Sequence, residues 1–383
     1  MKILLDPQIF NNQKYGGISR YYTEIFVALK KDKQIEIEVP LIYTKNIYFT
    51  ESSLINDKQK RTTFLLDLIV KVGISIRKRT KKINYNKAIK SLKNQEFDLF
   101  VPTYYDTYFL DHIGSKPFVL TVYDMIQELF PQNFPDDSKL VKNKLLLMEK
   151  ATKIIAVSNN TKKDILKLYP HLQESKIEVI YHGNSIIVNE NVEINLPSKY
   201  ILFVGPRFEY KNFKFLVEEI TEILRNDPNL YLVCAGGGNF RKEEKEYLNN
   251  LKLSQQVIQI DFKEIELGLM YKKAICFVFP SIYEGFGIPV LESMACGCPI
   301  ILGNHSSFPE VAGDAGVYFD LNSPGNLSKK IDSLIKNDIL RNEYSLKGIQ
   351  QSRKFDWKIA AQECLNVYIE AAGIAGDEYK KIQ

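Results

Sequence analysis

The chain is poor in the residues that most often announce a chemistry. Its 383 residues include five cysteines, four histidines and a single tryptophan. The cysteines (Cys234, Cys276, Cys296, Cys298, Cys364) are odd in number, confined to the second half, and form no C-x-x-C pair. They read as reduced core thiols of a cytoplasmic protein, which excludes a disulfide-stapled scaffold. His112, His171, His182 and His305 fall at no metal-ligand spacing. No Asp-x-Asp, no G-x-x-x-x-G-K-[ST] and no G-x-S-x-G occurs, against a carboxylate metal clamp, a P-loop ATPase and a serine hydrolase. The longest apolar stretches, such as IIAVS and ICFVFP, are strand-sized and far below the ~18 residues of a membrane span. The start, MKILLDPQ, offers too short an apolar core for a secretory signal.

What is present is an ordinary folded chain. Hydrophobic residues make up 45% and charged residues 25%, enough for a sizeable core. At roughly 150 residues per domain the length suggests two or three domains. The net charge of +5 is mild and implies no nucleic-acid partner. Its distribution is uneven. Residues 58–93 hold twelve Lys/Arg against one acid, Asp67, so the remaining chain is net negative (5 − 11 = −6). FLLDLIVKVGISI lies within this segment beside RKRTKK. Apolar side chains flanked by Arg77, Lys78, Arg79, Lys81 and Lys82 form the pattern of a surface that seeks anionic lipid. The same pattern suits a solvated helix pair whose apolar side packs on its own domain. Nucleic acid fits less well, because no aromatics interleave the cations.

Short β-branched runs recur along the chain, each followed by a loop and a helical pattern. KILLD (2–6), FDLFVP (97–102), FVLTVYD (118–124), KIIAVS (153–158) and KIEVIYHG (176–183) make one series. The stretch NENVEINLPSK (189–199) is polar, contains Pro197 and has no apolar period, so it reads as a linker. YILFVG (200–205), LYLVCA (230–235), VIQIDF (257–262), ICFVFP (275–280), PIILG (299–303) and VYFD (317–320) then restart the series. Strands alternating with helices predict an α/β protein with two doubly wound parallel sheets. The expected domains are 1–188, 189–355 and a terminal helical segment 356–383 that could cross back to the first. The helix after Asp356 is expected to turn Ile359, Ala360, Leu365 and Tyr368 inward.

Polar and glycine-rich residues fall at the carboxyl ends of these strands, where open parallel sheets bind ligands. They are Gly16 and Gly17, Tyr123 and Asp124, Ser158, and His182 and Gly183 in the first half. In the second half they are Gly205 with Arg207 and Lys211, the run 236–238 of three glycines, and the EGFG of 284–287. PSIYEGFGIPVLESMACGCP (280–299) is the strongest signal: a strand end, a glycine loop, then a helix entered through Ile288 and Pro289 and stopped at Gly297. Backbone N–H groups of such a loop suit an anion, phosphate above all, although a plain tight turn would look the same. Glu284 and Glu292 bracket it. Glu292 could accept hydrogen bonds from a ribose diol or merely complement the helix dipole.

EGFGIPVLE resembles the Glu-(seven residues)-Glu motif of retaining nucleotide-sugar glycosyltransferases of family 4, among them the mannosyltransferase-like enzymes of bacterial surface polysaccharides and lipopolysaccharide. GGISRY, AVSNNTKKDI (156–165), FVGPRFEYKN (203–212), VCAGGG (233–238), SSFPEVAGDAG (306–316) and FDW (355–357) are similar to the same family, in its order, over roughly residues 1–370. The resemblance implies the GT-B fold: two facing Rossmann-like domains, the first binding acceptor, the second donor, with the nucleotide-sugar site in the cleft between them. It implies that Arg207 and Lys211 grip the donor diphosphate and that Glu292 holds the ribose. Glu284 would face the donor sugar, the backbone of Gly285, Phe286, Gly287 and Ile288 would meet sugar and phosphates, and Gly17 would let the diphosphate approach. Tyr123 and Asp124 stand where relatives commonly have His-Asp, the His contacting the donor sugar; a Tyr there can donate a hydrogen bond but cannot carry a positive charge near neutral pH.

The expected activity is therefore retaining transfer of a hexose, mannose from GDP-mannose first among the candidates. The acceptor would be a hydroxyl of a lipid-linked or surface glycan, at the cytoplasmic face of the membrane, without metal or other cofactor. A sugar-phosphate synthase-like transferase with a soluble acceptor and a non-catalytic sugar-nucleotide-binding scaffold are the alternatives.

Overall fold

In the computed structural model the described residues are 1–71 and 77–374, with side chains described outside 67–78. The chain divides into two compact units: Met1–Gly183 joined by the C-terminal stretch from Trp357, and Asn184–Asp356. The division falls a few residues before the polar stretch 189–199.

The first unit is built on β1 (Lys2–Leu5), β2 (Glu36–Glu38), β3 (Leu99–Val101), β4 (Val119–Val122), β5 (Lys153–Ala156) and β6 (Ile177–Val179). They form two parallel ladders, β2-β1-β3 and β4-β5-β6, joined by one parallel bridge between Phe100 and Phe118. β3, β4 and most of β5 are buried on both faces, as expected of parallel strands covered by helices. β2, reading Glu-Ile-Glu, is a short edge strand that the sequence pattern does not announce.

The second unit holds β7 (Tyr200–Val204), β8 (Tyr231–Ala235), β9 (Val257–Ile260), β10 (Cys276–Phe279), β11 (Ile300–Gly303) and β12 (Gly316–Phe319). They make one parallel sheet in the order β12-β11-β10-β7-β8-β9. From β7 the chain winds outward to β9, then returns to β10 on the other side and winds outward to β12. The strand order therefore reverses between β7 and β10, which pair directly. The helix Phe213–Asn226 covers this sheet with Phe213, Leu216, Val217, Ile220 and Leu224, a three-and-four spacing that makes one buried stripe.

The C-terminal helix, Trp357–Ala371, packs on the helix Gly17–Leu29 of the first unit. Tyr368 stacks on Phe26 at 6.1 Å, and the Tyr21 hydroxyl lies 3.5 Å from the Cys364 sulfur. One expectation is corrected here: Ile359 is 54% exposed. The buried stripe is Trp357, Ala360, Ala361, Cys364, Leu365 and Tyr368, and residue 359 falls outside that i, i+3, i+4 series. All five cysteines are free and buried.

Candidate functional site

In a doubly wound sheet the carboxyl ends of the two strands flanking the order reversal splay their loops apart and leave a crevice. In the second unit those strands are β7 and β10, and the loops after them carry Gly205, Arg207 and Lys211 on one side and Glu284 to Gly287 on the other. Lys211 ends a short 3-10 turn, Glu209–Lys211, and is followed by Asn212 in the left-handed region (φ +57°). Its ammonium reaches the Glu284 carboxylate at 2.5 Å and lies 5.1 and 5.2 Å from the centres of the Tyr210 and Phe279 rings. A backbone bond from Ile282 N–H to the Tyr210 carbonyl, 2.8 Å, ties the two loops together.

The glycine loop itself is held by two serines. Ser306, at φ +56°, accepts from the Glu284 N–H at 3.1 Å and donates to the Glu284 carbonyl at 2.6 Å. Ser307, fully buried, donates to the Glu284 and Phe286 carbonyls, both at 2.9 Å. A non-glycine residue held in the left-handed region costs on the order of 1–3 kcal/mol and persists where its surroundings over-determine it. The loop's carbonyls are thereby turned toward the serines. Phe286 is buried and meets Phe355 edge to face at 5.8 Å. Gly287, at φ +94°, caps the helix Ile288–Ala295, with Pro289 in its first turn. Glu292 is buried in that helix and accepts from the Tyr271 hydroxyl at 3.4 Å. Burial, with the Glu292 carboxylate beside it, pushes the Tyr271 hydroxyl well above its usual range, so it remains a donor.

Arg207 is placed differently from Lys211. Its side chain is almost wholly buried, and its guanidinium donates to Glu244 (3.1 Å) and to the carbonyls of Gly236 (3.3 Å), Gly238 (2.9 Å) and Asn239 (3.0 Å). It also lies 4.7 Å from the centre of the Phe240 ring. The fork thus moulds the three-glycine run from behind. All three of those glycines have φ between +72° and +78°, and a Cβ on Gly237 would stand 2.8 Å from the Gly205 carbonyl oxygen. Only glycine fits there.

In the first unit, the order reversal lies between β1 and β3, and the residue at that point is Asp6, which sequence reasoning passed over. It is fully buried and accepts from Tyr108 Oη (2.6 Å), the Gln8 amide (3.2 Å) and backbone N–H (3.3 Å), and the Thr103 N–H (3.3 Å). Burial pushes its carboxyl up to about 7, against the hydrogen bonds, which pull it down. Gly17 is the first residue of the helix Gly17–Leu29, whose first turn is capped by the Gln13 side chain accepting from the Ser19 N–H at 3.2 Å. The Tyr123 ring is buried among Tyr21, Tyr22 and Tyr105, 5.9 to 6.5 Å from their centres. Asp124 follows on the surface, its side chain 34% exposed, with one carboxylate oxygen accepting from the Ile126 N–H at 3.1 Å. His182 is buried against Tyr21 and Trp357, and burial pushes its imidazole down to about 3, leaving it neutral.

The basic segment is divided between two helices, Asp57–Lys71 and Arg77–Asn94. The second buries Thr80, Asn84, Ala88 and Leu92, one residue per turn, and Asn84 is bonded to the Tyr43 carbonyl (2.8 Å) and Asn11 (2.6 Å). Arg79, Lys81 and Lys82 are exposed, as are Phe64 (65%) and Leu65 (60%), although Lys81 also donates to Asn12 at 2.9 Å. The side chains of Arg77 and Lys78 lie outside the described residues. Among the described residues no helix is long and apolar enough to cross a membrane, and no group of three His, Cys, Asp or Glu side chains gathers as a metal site.

The structure therefore brings Lys211 to Glu284 and its loop, Gly285, Phe286 and Gly287, and puts Arg207 against the 236–239 backbone and Glu244 instead. Ser306, Ser307 and Glu244 were not foreseen, because nothing in their local sequence says which loop they will meet. Lys144 was also missed, although a signal existed: it shares a helical stripe with Leu147 and Met148.

Residues 15–185 match the family described as Glycosyltransferase Family 4, and residues 187–351 the family described as Glycosyl transferases group 1. The chain is 26% identical to O-antigen chain mannosyltransferase B of Escherichia coli over 65% of its own length and 69% of that protein's. It is 27% identical to the N-acetylgalactosamine-N,N'-diacetylbacillosaminyl-diphospho-undecaprenol 4-alpha-N-acetylgalactosaminyltransferase of Campylobacter jejuni, over 57% of this chain and 60% of the other. The sucrose-phosphate synthase structure from Thermosynechococcus elongatus has the same fold, with a TM-score of 0.72 at 17% identity over 97% of this chain and 98% of that one.

Proposed function

Because the chain belongs to the family 4 and group 1 glycosyltransferases of the GT-B fold, we propose that it moves a hexose, with retention, from a nucleotide-diphospho-sugar to a hydroxyl of a lipid-linked or surface glycan. The observation that carries this reading is the Lys211–Glu284 pair at the order reversal of the second unit, beside a glycine loop whose carbonyls are tied back by Ser306 and Ser307. A departing nucleoside diphosphate gathers negative charge, and a fixed ammonium with loop N–H groups stabilises it where it develops. Lys211 and the N–H groups of Gly285 to Ile288 take the diphosphate, with the Arg207 charge behind the 236–238 run. Glu292 takes the ribose, Glu284 the donor sugar, and Asp124 beside Tyr123 a substrate hydroxyl, while Gly17 leaves room for the diphosphate. The leaving phosphate accepts the proton of the attacking hydroxyl on the same face, which preserves the anomeric configuration. No metal ion takes part. The O-antigen mannosyltransferase relative supports mannose as the sugar, and the undecaprenol-linked relative a lipid-linked acceptor.

Nucleoside-diphosphate binding tests the site. In a thermal-shift series with GDP, UDP and their nucleosides, the cognate diphosphate at 100 times its Kd stabilises by ~2.7 kcal/mol. Lys211→Ala is expected to weaken the diphosphate at least about tenfold, ~1.4 kcal/mol, and to leave the nucleoside unaffected. Equal losses for both ligands would take Lys211 off the diphosphate. A preference for UDP over GDP would replace the mannose donor.

The exposure of Phe64 and Leu65 on the helix Asp57–Lys71 and of Arg79, Lys81 and Lys82 on the helix Arg77–Asn94 supports adsorption of the first unit to the anionic inner face of the cell membrane. Each cation near such a surface contributes ~1 kcal/mol. Binding to phosphatidylglycerol vesicles is expected at low salt and is expected to fall as the Debye length shrinks from ~10 Å at 0.1 M to ~3 Å at 1 M. Changing Arg77, Lys78, Arg79, Lys81 and Lys82 to Gln abolishes flotation but spares donor hydrolysis in solution. A wild-type chain that ignores these vesicles at low salt would leave the segment a solvated surface.

A further inference from the structure

Lys144 lies in the helix Ser138–Lys150 with its side chain wholly buried. Its three ammonium protons meet three oxygens: the Asp124 carbonyl (3.1 Å), Gln127 Oε1 (3.1 Å) and Glu128 Oε2 (3.0 Å). All three belong to residues 124–128, the turn that leaves β4. The ammonium also stands 4.0 Å from Asp124 Oδ1 and 5.2 Å from the centre of the Tyr105 ring. The residue before the turn is held as well, since Tyr105 Oη accepts from the Tyr123 N–H at 3.2 Å. Asp124 Oδ1 is fixed by the Ile126 N–H. A buried ion pair is a weak source of stability, since apolar residues of similar volume often serve as well or better. Its use here is geometric: a saturated tetrahedral ammonium leaves the turn one arrangement, with the Asp124 carboxylate turned to the surface.

We propose that Lys144 is a positioning residue for the reaction, acting through Asp124. This rests on the reading that Asp124 takes a substrate hydroxyl. Lys144→Met alone would strand Glu128, whose side chain is 3% exposed, without its cation, so loss of fold could hide the effect. The deciding variant is therefore Lys144→Met with Glu128→Gln, which removes both charges. With the full chain, its melting temperature and its nucleoside-diphosphate affinity are expected to stay near wild type while kcat falls at least about tenfold. Wild-type kcat in this folded double variant would overturn the proposal. Lys144→Arg gives a second reading, because it keeps the charge Glu128 needs but presents a planar fork that cannot meet the same three oxygens. It is expected to fold and to lose kcat at least about fivefold; full activity would reduce Lys144 to charge balance and overturn the proposal. Asp124→Asn separates the two ideas. If it keeps full transfer, the assignment of Asp124 fails; if it loses transfer while the Lys144 variants keep theirs, the inference about Lys144 fails alone.

Discussion

Glu284→Gln is expected to fold as the wild type does and to lose transfer by at least about a thousandfold, ~4 kcal/mol of barrier. The fold survives because the loop is not held by this carboxylate. Its backbone N–H and carbonyl are bonded to Ser306, and Ser307 adds a second donor to the same carbonyl. What disappears is a negative charge beside Lys211 at the order reversal of the second sheet. Preorganised charge in a site that excludes water is commonly the largest single catalytic contribution, and a neutral isostere removes it without opening a cavity. The variant also has a distinguishing sign in binding. Glu284 competes with any anion for the Lys211 ammonium, so nucleoside diphosphate is expected to bind Glu284→Gln as tightly as wild type or more so. Activity within about threefold of wild type, ~0.7 kcal/mol, would remove Glu284 from the chemistry. A parallel loss of nucleotide binding would instead mean that the loop had moved.

Gly183→Ala is expected to be the most destabilising single methyl addition in the first unit. An ideal Cβ on Gly183 would stand 2.2 Å from the Trp357 backbone nitrogen and 2.6 Å from its Cα. These are backbone atoms at the start of the C-terminal helix, so no rotamer change relieves the overlap. The first turn must shift, and with it the contacts of Tyr21 with Trp357 and Cys364 and the stacking of Tyr368 on Phe26. Overpacking a close-fitted interior costs about 1–3 kcal/mol and more where backbone has to move, so a loss of about 3 kcal/mol or more is expected. The chain has two units and need not melt in one step, so the transition to follow is the one reported by the lone tryptophan, Trp357. Gly373→Ala, in the same unit, is the control: it has φ +68° but nothing within 4 Å of its Cβ, so only the backbone conformation resists, about 1 kcal/mol. If both variants melted alike, the contact of residue 183 with the terminal helix would not be tight.

Much of the layout is written locally. The β-branched runs of both halves became β1, β3 to β6 and β7 to β12, because a parallel strand buried on both faces must be apolar throughout and so stands out from its neighbours. β2 was illegible for the opposite reason: three residues at a sheet edge, two of them glutamates, carry little apolar pattern. The glycine loop with its helix, from Glu284 to Gly297, was also legible, since φ values of +94° and +72° at Gly287 and Gly297 demand glycine and local chemistry alone supplies it.

The sequence by itself determined the class of fold, the strands, and the loops that carry polar residues to the strand ends. Each of these follows from periodicity and backbone preference over a few neighbouring residues. Tertiary structure alone decided which groups those loops meet. It paired Lys211 with Glu284, which are 73 positions apart, and turned the Arg207 fork onto the carbonyls of 236, 238 and 239. It buried Lys144 under the turn that carries Asp124 and returned the final helix to the first unit. Such partners are chosen by sheet order and by the burial of charge, and both depend on residues too distant in the chain for any local pattern to record.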